Sequence, residues 1–165
     1  MKLSDLWSKG SEEKMREDSS LSQAFLNALH NRNKSSAFQL AEQMVEGGRY
    51  EEAIQAYQSL MESYPEDRAF FENQVGRIYA KMDDFEKALK YFVAARVHSF
   101  DADVVEEEVF ALCLREFQKQ LAAPLRRQIL QRYLILYPKG KHREEVENLL
   151  KKERESSDRQ RRAGF

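Results

Sequence analysis

With 165 residues the chain has room for one domain, and an apolar fraction of 42% is enough to form a core. Its 27 basic and 28 acidic residues nearly cancel, which argues against a protein built mainly to hold nucleic acid or an anionic membrane. Six glycines and three prolines suit a helical chain, and no stretch approaches the ~20 apolar residues that span a bilayer, so no direct membrane insertion is expected.

Residues 1–18 are polar and charged, with Leu3, Leu6 and Trp7 as apolar anchors. Such a segment buries too little surface to offset chain entropy and is predicted to be a disordered tail, with Leu3, Leu6 and Trp7 as a candidate linear motif. It lacks the apolar run of a signal peptide, so the expected location is cytoplasmic. Ser19 or Ser20 can cap an amphipathic helix within 19–33, whose stripe is Leu21, Ala24, Phe25, Ala28 and Leu29. The helix ends near His30 and is a candidate homodimer contact.

Sliding the chain against itself by 35 residues lays Gly48–Tyr57 over Asp83–Phe92. Tyr50 then matches Phe85, Ala53 matches Ala88, Ile54 matches Leu89 and Tyr57 matches Phe92. Upstream, Leu40-Ala41 falls on Val75-Gly76 and Met44 on Tyr79. Each unit reads as two helices. In 34–67, helix A covers about 36–46, Gly47-Gly48 turns, and helix B covers about 50–63 before Pro65. In 68–102, Asp67 can cap a helix over about 68–81, residues 82–84 turn, and a second helix covers about 85–97. Ala41, Gly76, Ala53 and Ala88 are small so that paired helices approach closely, and the aromatic residues fill the space between successive helices.

This order of a small residue, an aromatic, a turn, aromatic-x-x-Ala-aliphatic, a second aromatic and a closing proline resembles the tetratricopeptide repeat. Phe100 stands where the second unit's proline is usual. The resemblance implies an all-α fold, a right-handed superhelix of antiparallel helix pairs with about three repeats and a capping helix.

A degenerate third unit spans 103–140. Asp103 can cap a helix carrying Val105, Val109, Phe110, Leu112, Cys113, Leu114 and Phe117. Ala123-Pro124 opens another, carrying Leu125, Ile129, Leu130, Tyr133, Leu134 and Tyr137. The run YPKGKHREEVENLL also resembles repeats of bacterial periplasmic and outer-membrane assembly proteins. Residues 141–157 read as a charged solubilising cap with Val146, Leu149 and Leu150 inward, and 158–165 as a frayed tail.

Catalytic, cofactor-binding and metal residues are not expected. His30, His98 and His142 lie apart, with no neighbour at ligand spacing, and no phosphate-binding glycine loop or nucleophile triad is present. Glu106-Glu107-Glu108 reads as a solvated helix face, Cys113 as a small buried hydrophobe, and the basic tail around Arg159 as solvated rather than nucleic-acid-binding.

The resemblance implies an adaptor that holds a protein or peptide partner on a concave face lined by the first helix of each pair. The candidate groove residues are Phe38, Gln39 and Glu42; Asn73, Gln74, Arg77 and Lys81; and Val109, Leu112 and Arg115. Two narrower roles fit the same architecture. One is a chaperone for a bacterial secretion-system client; the other is a structural component of an envelope or motility assembly.

Overall fold

The computed structural model describes residue 16 and residues 19–164, which are helical with no strand. Of the expected tail only Arg16 is described, and it is helical and exposed; Leu3, Leu6 and Trp7 lie outside the described residues. Helix α1 includes residues 19–30, so Ser19 and Ser20 are already helical and neither is its cap. It is followed by α2 (Lys34–Glu46), α3 (Tyr50–Ser63), a 3-10 turn (Pro65–Asp67), α4 (Arg68–Lys81), α5 (Phe85–Val97), α6 (Ala102–Lys119), α7 (Ala123–Leu136) and α8 (Arg143–Arg162). Helix geometry thus runs through 158–162, where the sequence reading expects fraying, although every residue there is exposed.

From α2 onward each helix packs chiefly on its neighbours in the chain, and α4 also touches α6. That is the contact pattern of an all-α repeat solenoid. Four turns share one backbone device. Arg32, Gly48, Asp83 and Ser99 adopt left-handed φ values of 52°, 73°, 65° and 70°. The residue after each bonds back across the helix end: Asn33 N to Ala28 O, Arg49 N to Met44 O, Asp84 N to Tyr79 O and Phe100 N to Ala95 O. The same closure thus ends α1, α2, α4 and α5.

Among the described residues, side-chain caps start three of the helices. Asn33 accepts from Ser36 N, Asp84 from Lys87 N, and Asp101 from Asp103 N and Val104 N. The α6 cap is therefore Asp101 rather than Asp103. Asp67 flanks α4 without capping it, because its carboxylate is held by Lys34 at 2.5 Å.

The core runs along the stack as two clusters. One gathers Phe25, Ala37, Ala41, Met44, Ala53, Ile54, Tyr57, Phe71, Val75 and Ile78; the other runs from Ala88, Leu89 and Phe92 through Val105, Val109 and Leu130 to Val146 and Leu150. Tyr79 packs against both. The small residues sit where contact is closest. Ala41, Ala53 and Ala88 are fully buried, and a Cβ on Gly76 would lie 2.7 Å from the Phe92 ring. The exposed positions of α1 among the described residues are Ser19, Ser20, Gln23, Leu26, Asn27 and His30, five of the six polar.

Glu106 does not behave as its acidic neighbours do. It is 7% exposed, and its Oε1 accepts from the Tyr133 hydroxyl at 2.6 Å and from Lys141 N at 2.6 Å. The expectation of a solvated run holds for Glu107, which is exposed, and fails for Glu106, because tertiary packing folds the 137–142 turn over it.

Candidate groove between the first helices of the two leading pairs

α3 is antiparallel to both α2 and α4, which places the first helices of the two leading pairs side by side and in the same direction. Two hollows lie in line between them. The first, about 240 Å³, is lined by Lys34, Ser35, Phe38, Asp67, Phe70 and Phe71. The second, about 220 Å³, is lined by Glu42, Val45, Glu46, Tyr57, Gln74, Arg77, Ile78 and Lys81.

The first hollow is aromatic. The Phe38 ring lies 5.5 Å from Phe70, 6.4 Å from Phe71 and 6.2 Å from Tyr57, centroid to centroid. Phe100, in the place of the second unit's proline, backs Phe70 at 6.1 Å. The Lys34–Asp67 ion pair rims the open end. Phe38 is half-buried: it packs into this cluster and still faces the hollow.

The second hollow has an acidic and a basic wall. Glu42 and Glu46 on α2 are exposed, one turn apart, and form no ion pair among the described residues. On α4, Arg77 pairs with Glu108 of α6 at 3.2 Å, while Lys81 is exposed and forms no ion pair among the described residues. Tyr57 lies beneath. Burial, reinforced by the Glu42 carboxylate, holds its hydroxyl well above the usual tyrosine range.

Of the groove residues read from the sequence, the structure brings Phe38, Glu42, Gln74, Arg77 and Lys81 to the two hollows, with Gln39 exposed on α2. Asn73 does not belong with them. It is 2% exposed, and its Oδ1 is buried with no hydrogen-bond partner among the described residues. A step of four residues overshoots a helical turn by about 40°, so the stripe from position 73 to 81 rotates from the packed arc of α4 onto its free arc. Val109 and Leu112 are also core residues, 0% and 3% exposed, because α6 is packed against α5 and α7. Arg115 is exposed, but its guanidinium caps α4 by donating to Ala80 O at 2.7 Å. Sequence reasoning missed Phe70, Phe71, Val45 and Ile78. The adjacent pair Phe70-Phe71 was the available signal, since two bulky apolar neighbours on a helix cannot both face one core.

Two histidines acquire carboxylate neighbours from distant sequence. His98 Nδ1 bonds Glu72 at 2.6 Å, and His142 Nε2 bonds Glu107 at 2.8 Å while its ring stacks on Phe110 at 3.8 Å. Among the described residues no cluster of three or more His, Cys, Asp or Glu is placed to hold a metal ion, and no helix is long and apolar enough to cross a membrane.

Residues 35–67 match the family model described as tetratricopeptide repeat, a span that takes in α2 from Ser35, α3 and the 3-10 turn. No curated protein matches the chain.

Proposed function

We propose that this tetratricopeptide-repeat protein is a non-catalytic interaction module that holds a segment of a protein partner between α2 and α4. The observation that carries the reading is the alignment of the two hollows along one inter-helix groove, with an aromatic end and a charged end. An apolar anchor site beside polar groups suits peptide recognition. The residues proposed to contact the partner are Phe38, Glu42, Glu46, Gln74, Arg77 and Lys81. The near-neutral charge favours a protein partner over nucleic acid, and the cytoplasm is the proposed location.

Site-specific photocrosslinking in cells tests this. A photoreactive amino acid at Gln74 lies inside the groove, and one at Gln58 lies on the exposed face of α3. A discrete protein adduct at Gln74 that is absent at Gln58 is the expected result. Adducts at Gln58 alone, or at neither position, would move the site off this groove. The identity of the adduct separates the two narrower roles: a secreted or hydrophobic client fits a secretion chaperone, and a member of a large stable complex fits an assembly component.

A further inference from the structure

The groove's own charges and spacing narrow the partner, an inference that rests on the reading above. Glu42 and Glu46 are like charges at i and i+4 on the α2 wall, which destabilises a helix, and no cation among the described residues neutralises them. Across the groove Arg77 is already engaged by Glu108, leaving Lys81 alone. The unmet electrostatic demand is therefore for one cation at the α2 wall. One turn toward the N-terminus of α2, the hollow of Phe38, Phe70 and Phe71 offers an apolar seat.

The spacing between the two seats follows from helix geometry. From Phe38 to the midpoint of Glu42 and Glu46 is six residues, or roughly 9 Å at the α-helical rise. An extended chain covers that distance in about three residues. Hollows of about 240 and 220 Å³ seat single side chains, not a helix some 10–12 Å across.

We propose that the groove binds an extended peptide segment carrying a bulky apolar residue and, two or three positions away, a lysine or arginine. The apolar side chain fills the Phe38–Phe70–Phe71 hollow, and the cation sits between Glu42 and Glu46.

The test is selection of a random-peptide display library on the purified full chain, followed by affinity measurements on the selected peptides. Three variants are compared: Glu42→Lys with Glu46→Lys, the milder Glu42→Gln with Glu46→Gln, and Ser35→Trp, which fills the apolar hollow from an exposed position. Thermal melting of each checks that the fold is intact, and the glutamine pair keeps the charge test available should the lysine pair not fold. The expected result is enrichment of apolar-x-Lys/Arg or apolar-x-x-Lys/Arg sequences that lose tenfold or more in affinity for each variant. Replacing the peptide's lysine by glutamate should restore binding to the lysine variant. Peptides that lack a cation, ignore both charge variants and fail on Ser35→Trp would overturn the proposed chemistry while leaving the groove in place. Peptides indifferent to all three variants would overturn both readings. No enrichment would overturn the extended-segment proposal, and the Gln74 crosslink then decides the groove independently.

Discussion

The Tyr133 hydroxyl donates a 2.6 Å hydrogen bond to Glu106 Oε1 inside the interface of α6 and α7, and the same oxygen accepts from Lys141 N. Gly140 lies against both partners: a Cβ there would come within 2.5 Å of the Glu106 carboxylate and 2.6 Å of the Tyr133 hydroxyl. One carboxylate thus ties the turn before α8 to the start of α6. Glu106→Ala leaves the buried Tyr133 hydroxyl and the part-buried Lys141 N–H without their acceptor and is expected to destabilise by about 2 kcal/mol, read from denaturant unfolding. Tyr133→Phe removes one of two donors and is expected to cost about 1 kcal/mol. Non-additivity in the double variant would measure the coupling, and additive effects would show that the two groups act separately.

Gly76 packs its bare Cα under the Phe92 ring. In an exposed helix Gly→Ala is stabilising by about 0.8–1 kcal/mol. Here the added methyl meets the ring, and overpacking of about 1–3 kcal/mol is expected to win. Gly76→Ala should lower the melting temperature, and Phe92→Leu in the same chain should recover part of the loss. A rise in melting temperature for the single variant would show that the ring yields freely.

Ser99 holds a left-handed φ of 70° between α5 and α6. A non-glycine residue there costs roughly 1–2 kcal/mol, so Ser99→Gly is expected to stabilise, offset in part by the added freedom of the unfolded chain. A gain of about 0.5–1 kcal/mol in chemical denaturation is the expected outcome. Gly48→Ala, at the left-handed position between α2 and α3, should move stability the other way.

Cys113 is buried between α6 and its neighbours, and burial pushes its thiol up to about 12. The folded chain should resist a thiol reagent at pH 8 and react fully once unfolded. Because the folded value lies above the unfolded one, the thiol's contribution to stability is complete below about pH 8.5–9 and declines as pH rises toward 12. Cys113→Ala should therefore flatten the alkaline limb of the pH–stability profile. Rapid labelling of the native chain at pH 8 would contradict the burial.

The two leading helix pairs were legible because their information is local. The 35-residue self-match pairs residues that meet the same neighbours in successive units: Ala53 and Ala88 are both fully buried, as are Tyr57 and Phe92 to within 1%. Glycine and proline then mark the ends, and helices α3, α4 and α5 fall where the turn residues place them. The start of α6 was misjudged by two residues because Asp101 and Asp103 are chemically alike, and only the backbone path decides which one reaches Val104 N.

What the sequence determined by itself is the repeating helix pair, since helical periodicity and turn chemistry act over a few residues and need no partner. Which polar groups are buried was decided by tertiary structure alone. Asn73 and Glu106 lie within patterns that read as surface, and each is covered by helices that arrive from elsewhere in the chain. The groove belongs to the same class. Phe38 and Glu42 become one wall only when α4 is set beside α2 across α3, bringing Phe70, Gln74 and Lys81 opposite. A helix sandwiched between two neighbours keeps a narrow free arc, and the rotation of that arc is set by inter-helix packing, not by any spacing that the linear chain contains.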